Sequence, residues 1–150
     1  MNNVLIGGLK ISNIITTKLR QLQDYKFNVE FDEKSLPNLV VDEIPPIGGS
    51  TGPNPPRLLS AAVGHCLSSS LIYCLSKARV KVNAVETMIK TEIERNEKGR
   101  QRVKKIDVLI DLDVDKEDKE RVLRCLKLFE DYCTVTQSIR KGIEVNVHHV

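Results

Sequence analysis

Tryptophan is missing from this 150-residue chain, and Phe and Tyr number only three each. The core must therefore be built mainly from aliphatic side chains. Charge of one sign is equally scarce. Lys and Arg outnumber Asp and Glu by 23 to 20, leaving a net +3, a surplus too mild to argue for a nucleic-acid or membrane partner. No CxxC pair and no Cys–His cluster occurs, which removes the spacing that structural zinc requires. The opening Met1-Asn2-Asn3-Val4 lacks a basic segment followed by a long apolar stretch, so no secretory signal is expected. Internal repeats and low-complexity tracts are also lacking.

What is present suits one soluble domain over residues 1–150. The apolar fraction is 41% and the charged fraction 29%, ordinary for a globular chain with a real core. The longest apolar segment, Leu58 to Leu75, is interrupted by Ser60, His65, Ser68, Ser69 and Ser70. A buried core helix is expected there rather than a membrane span. Cysteines stand at 66, 74, 125 and 133. A chain of this size needs no disulfide framework, and free or redox-active thiols in a cytoplasmic protein are the better expectation.

Periodicity divides the chain into strands, helix, hairpin, helix and strand. Tyr25, Phe27, Val29 and Phe31 alternate with polar residues, as in a half-buried strand. A turn at Asp32–Ser35 leads to a second strand at Leu39-Val40-Val41. Val4-Leu5-Ile6 and Ile11 to Ile15 suggest short strands around Gly7-Gly8. The Pro- and Gly-rich stretch from Pro45 to Pro56 is a loop. Asn54 as N-cap and Pro55 at the first helical position start a helix that runs to about Arg79. That helix is apolar on nearly every side, which places it inside a protein or a dimer. Val85, Thr87, Ile89, Thr91 and Ile93 mark one hairpin strand, Asn96–Gly99 the turn, and Ile106, Val108, Ile110, Leu112 and Val114 the return. Asp115 is expected to cap a second helix, with Val122, Leu126 and Phe129 on one face and pairs Glu117–Arg121 and Glu120–Arg124 on the other. Cys133 precedes a short helix ending near Gly142, and Ile143, Val145 and Val147 read as a last strand. This order is α+β rather than a parallel βαβ sheet.

Two cysteines invite a chemical reading. Cys66 lies about three turns into the apolar helix, where the plain alternative is a small core hydrophobe. Cys133 lies at a junction of helical segments, where a helix N-terminus stabilises a thiolate; its plain alternative is helix-end packing. Cys74 and Cys125 read as core positions. His65 adjoins Cys66, but neighbouring helical side chains point about 100° apart. The cluster Arg95, Lys98, Arg100, Arg102, Lys104 and Lys105 reads as a solvated hairpin tip, since no aromatic interleaves it.

The segment Gly52-Pro53-Asn54-Pro55-Pro56-Arg57-Leu58-Leu59-Ser60-Ala61-Ala62-Val63-Gly64-His65-Cys66-Leu67 is similar to the first-cysteine stretch of the OsmC/Ohr family. Tyr132-Cys133-Thr134-Val135-Thr136-Gln137-Ser138-Ile139 resembles the second-cysteine motif, and Asp42 to Gly49 resembles the approach loop of one branch. The resemblance covers residues 25–150. It implies antiparallel sheets wrapped around central apolar helices in an intertwined homodimer with shared sites. It implies a cysteine-based hydroperoxide reductase, with Cys66 attacking an organic hydroperoxide and Cys133 resolving the product. An external dithiol of lipoyl type would then restore the thiols, and no metal or organic cofactor is implied. Peroxidase members carry a Glu at the helix start that holds an Arg against the thiolate. Here Pro56 and Arg57 occupy those positions, leaving Arg57 or the more distant Arg20 as candidate thiolate-stabilising groups. The rival expectation is the same fold without efficient peroxide reduction, acting as an apolar-ligand-binding module or a thiol redox partner.

Overall fold

The computed structural model describes residues 5–6, 9–10 and 14–149. The chain divides into two compact units, Met1–Pro55 and Pro56–Val150.

The first unit is all strand and loop. β1 (Leu5–Ile6) pairs with β2 (Leu9–Lys10); the parts of the expected short strands at Val4 and at residues 11–13 lie outside the described residues. β3 (Thr17–Gln23), β4 (Lys26–Phe31) and β5 (Leu39–Val41) form an antiparallel sheet with β4 in the centre. Of the expected row on this strand, Val29 is buried opposite Leu19 and Phe27 is half-buried, whereas Tyr25 and Phe31 are exposed. β3 has every position exposed, so no apolar period marked it in advance.

The loop after β5 is organised by one carboxylate. Asp42 is buried and accepts hydrogen bonds from the backbone N–H groups of Glu43, Gly49 and Thr51 and from the Thr51 hydroxyl, at 2.8–3.1 Å. The Thr51 amide contributes most to holding the Asp42 carboxyl below the usual carboxylate range. Burial opposes it, and the Thr51 hydroxyl and the other two amides add to it. Gly48 is required here because a Cβ would collide with the Glu43 carbonyl. The Pro45–Pro46 bond is cis.

The second unit centres on α1 (Pro55–Lys77), which starts where the Asn-Pro signal predicts. It ends two residues before the expected Arg79, because Arg79 adopts the left-handed conformation (φ 58°). The Val80 N–H then reaches back to the Leu75 carbonyl at 2.9 Å. By length and composition α1 could cross a membrane; here its Val63, Leu67, Leu71 and Leu75 stripe is buried in the core.

β6 (Val82–Arg95) and β7 (Gln101–Val114) form the long hairpin. Its inward row matches the alternation, with Val85 opposite Leu112, Thr87 opposite Ile110, Ile89 opposite Val108 and Thr91 opposite Ile106. Asn96 closes the turn by accepting from the backbone N–H groups of Lys98 and Arg100. At its tip Lys104 pairs with Glu92 and Glu94, and Lys105 with Asp107.

A 3-10 turn (Lys116–Asp118) leads into α2 (Lys119–Leu128), and a second (Phe129–Tyr132) leads through Cys133 into α3 (Thr134–Lys141). Asp115 makes no side-chain cap. The buried face of this segment is Val122, Cys125 and Phe129, with Leu126 left 42% exposed. Arg121 pairs with Asp118 at 3.1 Å rather than with the expected Glu117. α3 stops at Gly142 (φ 75°). Residues Ile143, Val145 and Val147 are exposed and form no strand. Their alternation is real, but among the described residues no edge is hydrogen-bonded to them. The architecture is α+β, antiparallel sheets with a central helix.

Candidate functional site

Three small residues on α1 set how that helix lies on the hairpin. Ser60 hydrogen-bonds Thr91 (2.5 Å) and Ser68 hydrogen-bonds Thr87 (2.7 Å). Between them, a Cβ on Gly64 would stand 2.5 Å from Ile89 Cδ1. Four residues of helix rise about 6 Å and two of strand about 6.7 Å, so the two elements stay in step over both turns. With this face on the sheet, Cys66 turns toward the Cys133 segment.

Cys66 is half-buried and Cys133 is fully buried. The two sulfurs are near enough to bear on each other's ionisation. Cys133 is also the N-cap of α3. Its sulfur accepts from the Thr136 N–H at 3.4 Å. It lies 3.0 Å from the Thr136 hydroxyl, with S–H or O–H donating according to protonation. Cys-x-x-Thr here does what Ser-x-x-Glu does at other helix starts, the cap side chain meeting the amide three residues on.

The two thiols titrate apart. Burial is the largest influence on each and pushes both up. On Cys66 the neighbouring Cys133 thiol pushes further up, and the amides of Val135 and Thr136 offset only part, so its pKa is raised. On Cys133 the Cys66 thiol, the Thr136 hydroxyl and the same two amides outweigh burial, so its pKa is lowered. These directions place the first charge the pair acquires on Cys133.

Cys66 opens into a cleft of about 690 Å³ lined by Ala62, His65, Ser69, Tyr73, Tyr132 and Val135 among others. Cys133 lies behind it. The His65 Nε2 is 3.4 Å from Ser69 Oγ. A second cavity, about 460 Å³, lies between α1, the hairpin and α3; Leu67, Val108, Phe129 and Ile139 line it, and it touches Thr136.

Arg57 sits away from the pair within this chain. Arg57 is in the first turn of α1, nine residues and roughly 13 Å of helix from Cys66, on the opposite side. Arg20 lies on β3, in the first unit, 3.8 Å from Glu30. No guanidinium is among the groups that shift Cys66 or Cys133.

Sequence reasoning left two features without a role. Thr136 was readable as a cap partner three residues after Cys133. Cys74 and Cys125, expected as plain core positions, form a disulfide with Cα atoms 5.6 Å apart. The signal was the mirrored spacing: Cys74 follows Cys66 by eight residues and Cys125 precedes Cys133 by eight. Two antiparallel segments with that spacing meet at both pairs together. Among the described residues no group of three His, Cys, Asp or Glu is placed to hold a metal ion.

No curated protein matches the chain. Solved structures do. An OsmC-like protein of unknown function from Vibrio cholerae superposes with a TM-score of 0.73 at 14% identity, covering 85% of this chain and 94% of that one. An organic hydroperoxide resistance protein OsmC from Legionella pneumophila gives 0.64 at 14% identity, with 87% and 92% covered. An organic hydroperoxide resistance protein from Elizabethkingia anophelis gives 0.60 at 18% identity, with 91% and 94% covered. These likenesses establish the fold. The sequence model of the OsmC-like protein family matches residues 48–148, a span that contains α1, α2, α3 and all four cysteines, and the chain accordingly belongs to the OsmC-like family.

Proposed function

We propose that this protein reduces organic hydroperoxides with the Cys66–Cys133 pair. The observation that carries the reading is the placement of two interacting thiols at the inner end of an open cleft, with the Cys133 sulfur capping α3 and accepting from its Thr136 amide. Two relatives in fold are named for organic hydroperoxide resistance, which points the same way.

The geometry supports a sequence of proton and electron transfers. Cys66, the thiol that lines the cleft, gives its proton to Cys133. The Cys66 thiolate attacks one peroxide oxygen and the O–O bond breaks, leaving a sulfenic acid and an alkoxide. The alkoxide takes the proton back from Cys133 and leaves as the alcohol. Cys133, again a thiolate, attacks the Cys66 sulfur; the S–O bond breaks and hydroxide leaves, taken up as water with one solvent proton. The sum is one hydroperoxide and one proton consumed against one disulfide, one alcohol and one water formed. An external dithiol, of lipoyl type, then returns two electrons. In this scheme α3's amides and Cys133 supply the activation for which Arg57 and Arg20 are the sequence candidates. The exposed face of α1 supports a homodimer, and a cytoplasmic setting keeps the pair reduced.

Titration of the reduced protein with cumene hydroperoxide tests this. The expected result is one equivalent consumed per chain with a Cys66–Cys133 disulfide, abolished in Cys66→Ser. Cys133→Ser should form no intramolecular disulfide at Cys66 and leave Cys66 as sulfenic or sulfinic acid. Reaction no faster than that of a free thiol overturns the reading. The apolar cavity of about 460 Å³ beside Thr136 favours the second reading, an apolar-ligand-binding module. Saturable binding of a non-peroxidic fatty acid by a protein inert to peroxide would establish that instead.

A further inference from the structure

We propose that Cys74 and Cys125 are a second dithiol–disulfide centre, which when oxidised clamps the Cys133-bearing segment onto α1 and positions Cys133 to capture the Cys66 sulfenic acid. The clamp rests on the reading of Cys66 and Cys133 as the reacting pair, but its formation does not.

Placement carries the argument. The Cα atoms of Cys74 and Cys125 are 5.6 Å apart, a separation at which a disulfide closes without backbone movement. Cys74 lies in the last turn of α1 and Cys125 in α2. From Cys125 the chain runs through the end of α2 and one 3-10 turn straight to Cys133. No loop intervenes to absorb a displacement, so what holds Cys125 also holds Cys133.

The non-covalent hold on α2 is slight. Of its ten residues only Val122 and Cys125 are buried, and Leu123, Leu126 and Leu128 are 42–49% exposed. A helix anchored by two side chains opens easily. The two cysteine pairs bracket the crossing of α1 with this segment, one at each end. Eight helical residues put them roughly 12 Å apart along α1, too far for direct thiol exchange, so the two centres act separately.

Exposure orders the chemistry. Cys74 is half-buried whereas Cys125 is 2% exposed. A hydroperoxide therefore meets Cys74 first. The Cys74 thiolate attacks the O–O bond, giving a sulfenic acid and, after protonation, an alcohol. The Cys125 thiol then displaces water to form the disulfide. Two electrons pass from the two sulfurs to the peroxide, and a dithiol reductant reverses the step.

Peptide mapping with differential alkylation tests the proposal on the reduced wild type, Cys74→Ser and Cys74→Ala/Cys125→Ala, each oxidised by cumene hydroperoxide and separately by diamide. Wild type should yield both the Cys74–Cys125 and Cys66–Cys133 links. In the variants, at a temperature far below melting, diamide should close Cys66–Cys133 at least 5-fold more slowly. Cumene hydroperoxide should carry a correspondingly larger fraction of Cys66 to sulfinic acid. A merely structural tie would lower the melting temperature without moving this partition. Cys74 and Cys125 both alkylated after diamide, or an unchanged Cys66–Cys133 closure rate in the variants, overturns the clamp. Closure by diamide with no reaction toward hydroperoxide would leave the clamp standing and remove the peroxidase reading.

Discussion

In the proposed reduction, a thiol that sits half in a cleft and a thiol sealed behind it divide the work. Cys66 has access, and Cys133 has the Thr136 hydroxyl and amide at its sulfur, with the Val135 amide and the Cys66 thiol also lowering its pKa. The division predicts a split titration. Followed by thiolate absorbance at about 240 nm, the reduced wild type should lose its first proton below the ordinary thiol range and its second above it. In Cys133→Ser the hydrogen bond and charge that push Cys66 up are gone, so a single step should appear nearer the ordinary value. Two unshifted steps in the wild type would show that the sulfurs are not in contact. The lowered folded pKa of Cys133 means its contribution to stability is present above the unfolded thiol value and is lost as pH falls through the folded one.

At the scale of elements, the seating of α1 on β6 decides which way Cys66 faces. Ser60, Gly64 and Ser68 make a stripe one helical face wide, and Thr91, Ile89 and Thr87 receive it. Helix and strand meet here through small and hydroxylated side chains, with the larger Val63, Leu67, Leu71 and Leu75 filling the flank. Gly64→Val should destabilise the protein by about 1–3 kcal/mol through overpacking against Ile89, measured by urea unfolding. Gly64→Ala should cost less than Gly64→Val, because Ile89 Cδ1 and Cγ1, at 2.5 and 2.8 Å from the new Cβ, must both move aside while helix propensity returns about 1 kcal/mol. Adding Ile89→Val should rescue the Gly64→Val variant; equal stability of Gly64→Val and wild type would show that the close approach is not tight. The disulfide between α1 and α2 closes a loop of 51 residues, a link that contributes on the order of 4 kcal/mol by the chain-entropy account.

For the whole molecule, the face of α1 that carries the cleft remains the open side of the second unit. Ile72 and Tyr73 are 43% and 56% exposed there, beside Ala62 and Ser69. An apolar helix face of this kind is unusual on a monomer's surface, and a second copy of the chain is the occupant we expect. Sedimentation velocity should give a dimer of this 16.9 kDa chain. Tyr73→Asp, which puts a charge on the shared face, should shift it toward monomer by at least 10-fold in dissociation constant. A monomeric wild type at micromolar concentration would remove the homodimer from the proposal.

Local chemistry written into the sequence was enough for the α+β class, the start of α1 at Asn54-Pro55, the inward rows of the β6–β7 hairpin and the stop of α3 at Gly142. Each depends on near neighbours: a cap, a fixed proline φ, a period of two, a glycine. β3 escaped because all its positions are exposed and leave no period to read. Ile143, Val145 and Val147 misled for the opposite reason, since alternation predicts a strand only if an edge is available to pair with it. The cysteines show the same boundary. Their types and their mirrored spacing of eight are properties of the chain, and so is the cap position of Cys133. Which sulfur meets which depended on the antiparallel crossing of α1 with α2 and the segment that follows. That crossing is set by packing between residues more than fifty positions apart, and only the tertiary structure decided it.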